Sequence, residues 1–95
     1  MDTLTGMRLF NRVAETGSFS AAGRAIGLAP SSVSRQISAL EDELGTRLFN
    51  RTTRKLHLTE AGEIYYSHTE RILTDIDEAT AAVSQLHEAP RGVLR

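Results

Sequence analysis

The sequence contains no cysteine and no tryptophan, and it has only two prolines among its 95 residues. Without cysteine the chain can form neither a disulfide framework nor a thiolate metal site. No apolar run approaches the length that spans a membrane, and the first residues lack the apolar segment and cleavage site of a secretory signal. We therefore expect one small cytoplasmic domain, or a small domain with an extension.

An excess of charge of one sign is also lacking, since the formal net charge is −1 at pH 7. The charges are nevertheless unevenly distributed. Residues 30–58 carry five basic and three acidic side chains, whereas residues 59–95 carry three basic and seven acidic ones. This asymmetry matters for a polyanionic partner, which would be attracted to the middle of the chain and not to its last third.

Three helices are predicted in the first half of the chain. Apolar residues recur at helical spacing from Thr3 to Thr16. Ser18 is a good N-cap for a short second helix, from Phe19 to Ile26, whose small inward residues permit another backbone to approach closely. After a three-residue turn a third helix begins at Pro30 and ends before Gly45. Two helices joined by such a turn are typical of the helix-turn-helix motif, here at about residues 19–38.

A hairpin and a long helix are predicted to follow. Two short β-like runs, Arg47–Phe49 and Lys55–Leu58, flank a polar and basic tip, so a hairpin is expected at about residues 46–58. Thr59 can cap a last helix over residues 59–89, in which Gly62 permits close approach of the first helix or of the hairpin. The expected fold is therefore mainly helical, with a domain at residues 1–58 and a long helix after it.

The third helix has two different faces when it is drawn at roughly 100° per residue. Its core face is aliphatic, whereas its outer face carries short hydroxyls and a guanidinium, on Ser31, Ser32, Ser34, Arg35 and Ser38. Short side chains let a helix lie deep in a DNA major groove, and arginine can bind guanine through two hydrogen bonds. Phosphates would repel Glu41, Asp42 and Glu43, so only the first two turns could dock. A serine-rich face that is merely solvated is the alternative.

The last helix carries an apolar seam at alternating spacings of mostly three and four residues. A helix about 40 Å long, at roughly 1.5 Å per residue, cannot bury this seam against a small domain alone. We therefore expect a homodimer. The predicted interface residues are Tyr65, His68, Ile72, Ile76, Ala79, Val83 and Leu86.

Metal binding and catalysis find little support in the sequence. The three histidines, His57, His68 and His87, show no metal-ligand spacing, so no metal site is expected. No nucleophile–base set, glycine-rich phosphate loop or carboxylate pair suggests an enzyme. Two functions stay open: a DNA-binding domain, and a protein-interaction module that assembles through its long helix. Salt separates them, because DNA binding weakens steeply as salt rises.

The residues together resemble the winged helix-turn-helix domain of LysR-type transcriptional regulators. The resemblance rests on GSFSAAGRAIGL, on VSRQISALEDELGTRLFNR and on LTEAG at 58–62, and the following helix resembles the linker helix of that family. One departure is Ala29-Pro30-Ser31, where many members have Ser-Gln-Pro. The base preference of that step is therefore not carried over, and Ala29 is a poor N-cap.

The resemblance implies a bacterial transcription factor that binds a partly palindromic promoter site. It implies dimerisation through antiparallel linker helices, with a tetramer possible in the full-length protein. No cofactor is expected in this chain. A small-molecule effector would bind an absent C-terminal domain, and residues 90–95 would be the start of the interdomain linker to it. The wing position at Arg54 would reach the minor groove, and Arg51 and Thr52 match wing positions that contact the DNA backbone. The complete set of predicted DNA contacts is Ser18, Pro30, Ser31, Ser32, Ser34, Arg35, Ser38, Arg51, Thr52 and Arg54.

Overall fold

The computed structural model describes residues 2–51 and 56–88. Within them the chain forms four helices and one two-stranded antiparallel sheet. The elements are α1 (Thr3–Thr16), α2 (Phe19–Ile26), α3 (Pro30–Leu44), β1 (Phe49–Arg51), β2 (Leu56–Leu58) and α4 (Glu60–Glu88). The prediction of a mainly helical, winged helix-turn-helix fold with a long last helix is confirmed.

The first three helices begin and end where the sequence predicts. The Asp2 carboxylate caps α1 by accepting hydrogen bonds from the Thr5 hydroxyl at 2.6 Å and the Thr5 N–H at 3.1 Å. These bonds, the hydroxyl's first, hold the pKa of Asp2 below its ordinary value because they favour the carboxylate. The hydroxyl of Ser18 caps α2 by accepting from the Ala21 N–H at 3.1 Å. Ala29 precedes α3 without a side-chain cap, as its poor capping ability predicts.

The turn between α2 and α3 depends on two glycines. Gly27 has a φ of 80°, a left-handed conformation that glycine adopts without steric cost. Gly23 lies where the turn folds back, and its carbonyl accepts from the Leu28 N–H at 2.8 Å. A Cβ on Gly23 would overlap the Leu28 carbonyl oxygen and lie 3.3 Å from Val33 Cγ2. The predicted close approach of another backbone to α2 is therefore present.

The first strand of the wing lies two residues later in the chain than predicted, over Phe49–Arg51 instead of Arg47–Phe49. β1 begins at Phe49, so the predicted start at Arg47 is wrong by two residues. The physical reason is that the Leu48 N–H donates to the Glu41 carboxylate at 2.8 Å instead of to a neighbouring strand. Strands β1 and β2 pair antiparallel, with Phe49 opposite Leu58 and Arg51 opposite Leu56. Lys55, where the second strand was predicted to begin, lies outside the described residues.

The long helix α4 starts against the wing. The Thr59 hydroxyl accepts from the Gly62 N–H at 2.9 Å and donates to the Arg47 carbonyl at 2.6 Å. A Cβ on Gly62 would overlap the Leu48 carbonyl oxygen, so it is the segment leading into the wing that approaches Gly62. At its far end α4 continues to Glu88, the last described residue, which agrees with the predicted end at residue 89. The predicted interdomain segment at residues 90–95 lies outside the described residues.

The core lies between α1, α2, α3 and the base of the wing. Its centre is Phe10, which is fully buried; the ring centroids of Phe49 and Tyr65 lie 5.4 Å and 5.0 Å from that of Phe10. Burial raises the pKa of the Tyr65 hydroxyl, and the charge of Glu43 adds to this effect. The other buried apolar residues of this cluster are Leu9, Val13, Ala22, Val33, Ile37, Leu40 and Leu48. No helix in the described part of the chain has the length and apolar character that crossing a bilayer needs.

Candidate nucleic-acid interface

The outer face of α3 carries its hydroxyls and its guanidinium at the surface, as the sequence predicts. Ser31 and Arg35 are exposed, whereas Val33 and Ile37 on the other side of the helix are completely buried. Three further serines of this face, Ser32, Ser34 and Ser38, are half-buried, and Pro30 is exposed at the start of the helix. Most of the predicted contacts on α3 therefore share one accessible surface, which we call the α3 face.

Arg35 is the cation of the α3 face. Its Nη2 atom lies 3.4 Å from the hydroxyl oxygen of Ser32, one turn earlier. Within residues 2–51 and 56–88, no carboxylate lies at ion-pair distance from Arg35. Because its charge is not neutralised there, the guanidinium is available to an anionic or hydrogen-bonding ligand.

Two predicted contacts, Ser38 and Arg51, lie against each other. The Arg51 Nη2 atom lies 3.3 Å from the Ser38 hydroxyl oxygen, which joins the wing to α3. The same guanidinium lies 5.2 Å from the centre of the Phe19 ring at the start of α2. Thr52 and Arg54, the other two predicted wing contacts, lie outside the described residues. Ser18 caps α2, and a contact between it and DNA stays a prediction.

Glu41 has a role that differs from the one expected from sequence. The sequence predicts that phosphates would repel it as they would Asp42 and Glu43, but its side chain is only 3% exposed. One carboxylate oxygen accepts from the N–H groups of Leu48 and Phe49, at 2.8 Å and 3.2 Å. The sequence contains a signal for this burial: Glu41 lies one turn after Ile37 and therefore on the inward side of α3.

Helix α4 has a buried face and, beside it, an exposed face that is largely apolar. Thr69 and Leu73 are buried on the side that packs against α1, and Tyr65 contacts Phe10 in the core. A second set of residues lies on an adjacent side, which is exposed to solvent. We call this set the α4 stripe, and it consists of Ile64, His68, Ile72, Ala79, Val83 and Leu86.

From Ile72 onward, the exposure of the large apolar residues in the α4 stripe increases toward the far end of the helix. Ile72 is 40% exposed, Val83 60% and Leu86 76%. Ile76, another predicted interface residue, is half-buried. Ile64, which is 56% exposed, was not among the residues predicted from sequence because it lies one position before the seam. Tyr65 and Ile76 therefore lie toward the globule, and their place in an interface stays a prediction.

The two histidines whose side chains are described do not form a metal-binding arrangement. His57 is exposed on β2, and the Nδ1 atom of His68 lies 3.3 Å from Arg71 Nη2 on the next turn of α4. In the described part of the chain, no three histidine or carboxylate side chains are grouped so that they could hold a metal ion.

These elements define the class of protein. Helices α2 and α3 form a helix-turn-helix, β1 and β2 form a wing beside it, and α4 extends from the globule with an uncovered apolar stripe. The protein is a winged helix-turn-helix protein with a long C-terminal helix.

Comparison with known proteins places the chain within this class. Residues 4–63 match the family of bacterial regulatory helix-turn-helix proteins, lysR family. The chain therefore belongs to the LysR family. An HTH-type transcriptional regulator of Xanthomonas campestris is 49% identical over 87 residues, which cover 92% of this chain and 25% of that protein. The regulator CrgA of Neisseria meningitidis is 45% identical over 89 residues, which cover 94% of this chain and 30% of that protein.

A solved structure has a similar fold over most of the chain. The BenM DBD in its complex with benA site 1 DNA has a TM-score of 0.83 and 31% identity, over 92% of this chain and 97% of that one. The chain spans only about a quarter to a third of the length of the two regulators. The match thus concerns only a part of proteins of that kind.

Proposed function

We propose that this chain is the sequence-specific DNA-binding domain of a bacterial LysR-type transcriptional regulator and that its partner is double-stranded DNA. The observation that carries the proposal is the α3 face, where Arg35 is exposed and unpaired among short hydroxyl side chains within the described part of the chain. This face belongs to the second helix of the helix-turn-helix, which is the helix that enters a major groove. The likeness to a domain solved with DNA supports the proposal.

The α3 face offers two kinds of contact to DNA. Arg35 can donate two hydrogen bonds to guanine O6 and N7, whereas Ser31 and Ser34 can reach phosphates or base edges. The N-terminus of α3 adds the positive end of its dipole near a phosphate. Asp42 and Glu43 are exposed at the far end of the helix, so phosphate repulsion limits docking to its first turns.

The wing and the α4 stripe extend the interface. We place Arg54 in the adjacent minor groove and Thr52 at the backbone, as the family resemblance implies. A second copy of the chain would cover the α4 stripe with its own, in an antiparallel arrangement. Two α3 faces would then meet a partly palindromic site, because the symmetry of the protein is repeated in the DNA.

The proposed function also bears on the rest of the protein. A domain that acts by docking on DNA has no catalytic step, and its partner places it in the bacterial cytoplasm. The sequence beyond this chain would hold the small-molecule effector and could extend the dimer to a tetramer. We propose no cofactor and no membrane partner for the residues described here.

A protein-interaction module is the competing function, because the α4 stripe would serve assembly with or without DNA. Selection of bound fragments from a random pool of duplexes by the purified chain tests both. We expect enrichment of one sequence with two related half-sites, and binding that weakens steeply between 50 and 200 mM salt, by roughly 10³-fold or more if six or more phosphates are contacted. If no DNA sequence is enriched and the chain self-associates independently of salt, the results would favour the protein-interaction module.

A further inference from the structure

The Arg51 side chain contacts two helices of its own chain, α2 and α3. Its guanidinium lies at 3.3 Å from both Ser38 Oγ and Glu41 Oε1 of α3, and 5.2 Å from the centre of the Phe19 ring of α2. Arg51 itself is the last residue of β1. The side chain retains only 31% of its exposure. One guanidinium thus connects the wing to both helices of the helix-turn-helix.

Glu41 provides the counter-charge for this connection. Its Oε1 atom accepts from Arg47 at 3.0 Å and from Arg51 at 3.3 Å, while Oε2 accepts from two N–H groups of the segment entering the wing. A carboxylate that is 3% exposed and has two backbone donors is held in place before Arg51 reaches it. The anion that Arg51 faces is therefore a fixed part of the protein.

Arg51 was predicted from the family resemblance to contact the DNA backbone. A phosphate at Arg51 would have to compete with the Glu41 carboxylate, which is already bound and desolvated, and with the Phe19 ring. We propose instead that Arg51 is a positioning residue, whose guanidinium fixes the wing relative to the α3 face. This inference rests on the proposed function only where it concerns the consequence for DNA binding.

Arginine suits this role better than lysine. Its planar fork can donate toward a hydroxyl and a carboxylate at the same time while its face lies on an aromatic ring. A lysine ammonium is a compact point charge, so it could keep the attraction to Glu41 but not all three contacts. Substituting lysine therefore separates the charge of Arg51 from its geometry.

The first arm of the test measures the free protein. Arg51→Gln and Arg51→Lys should both speed hydrogen exchange of amides in β1 and β2, by roughly tenfold, because the wing loses one of its attachments to α3. Phe19→Leu keeps every charge and should produce a smaller increase in the same amides. If these amides exchange as slowly in Arg51→Gln and Arg51→Lys as in the wild type, the proposal is overturned, whether or not the protein binds DNA.

The second arm measures DNA affinity between 50 and 200 mM KCl for the wild type and Arg51→Gln. A positioning residue predicts a loss of about tenfold with an unchanged dependence of log K on log salt. A phosphate ligand predicts a slope smaller by about 0.9 per protomer, and that result would overturn the proposal. Arg12→Gln on α1 is the charge-matched control. Absence of DNA binding by the wild type would reject the proposed function and leave the exchange arm to decide the role of Arg51.

Discussion

The Thr69 hydroxyl donates a hydrogen bond to the Asn11 amide oxygen at 2.5 Å, across the contact between α4 and α1. Thr69 is fully buried and Asn11 is 6% exposed, so this is a buried polar contact between residues 58 positions apart in the chain. A second contact follows the same side of α4, where Arg8 pairs with Asp77 at 3.1 Å. The two contacts fix the direction in which α4 leaves the globule, which in turn sets how two copies could present their α3 faces.

Thr69→Val tests this attachment. Valine has nearly the same shape but no donor, so the buried Asn11 oxygen loses its partner. We expect a loss of about 1–3 kcal/mol in the free energy of unfolding, measured by urea denaturation. Thr80→Val is the matched control, because Thr80 is exposed farther along α4. Equal stabilities of the two variants would show that the hydrogen bond contributes nothing.

Glu41→Gln tests the buried carboxylate. Glutamine keeps the size of the side chain but replaces one acceptor oxygen by an NH₂ group. That group would face either the arginine donors or the backbone N–H donors, and it cannot accept a hydrogen bond from them. The expected loss is about 1–3 kcal/mol in the free energy of unfolding. Glu43→Gln, at an exposed position of the same helix, should change stability by less than about 0.5 kcal/mol. A Glu41→Gln variant as stable as the Glu43→Gln control would contradict the role assigned to Glu41.

Gly62→Ala sets helix propensity against packing. Alanine is favoured by about 1 kcal/mol over glycine inside a helix, so propensity alone predicts stabilisation. The added Cβ would overlap the Leu48 carbonyl oxygen, and backbone cannot move away as a flexible side chain can. We therefore expect net destabilisation, by about 1–3 kcal/mol, seen as a lower thermal midpoint. A raised midpoint would mean that α4 and the wing are less tightly packed than described.

Much of this fold follows from local chemistry. The ends of the first three helices were predicted correctly because Ser18, Pro30 and Gly45 act within a few residues of where they stand in the sequence. The outer side of α3 was likewise predictable, because the helical repeat by itself places Arg35 and Ile37 on opposite sides of the helix. Such features need no knowledge of the rest of the chain.

Other features depend on contacts that spacing alone does not reveal. Glu41 looks like one of three solvated acids, and only the folded wing brings backbone donors to it. The same contact explains why β1 begins two residues late. The spacing of the α4 seam does not reveal which of its residues face the globule, as Tyr65 does, and which stay exposed, as Val83 does, because this depends on how the helix docks.

Val83→Asp tests the proposed dimer. Val83 is 60% exposed on the part of α4 beyond the globule, so a charge there should leave the fold intact. We expect dimerisation to weaken at least about tenfold, because the carboxylate would have to be desolvated in the interface. Sedimentation analysis measures the change. Ala81→Asp, exposed and about 200° around the helix at roughly 100° per residue, is the control and should stay dimeric. A dimeric Val83→Asp protein would place the interface elsewhere.

The affinity of Arg35→Ala for the DNA sequence selected by the wild type is the most direct test of the account. We expect a loss of about 1–3 kcal/mol in binding free energy and a relaxed preference at one base pair, since the guanidinium reads a base edge. Arg12→Ala removes the same charge from α1, where Arg12 lies 3.9 Å from Glu15, and should bind as the wild type does. An Arg35→Ala protein with unchanged affinity and unchanged preference would contradict the docking of the α3 face on DNA.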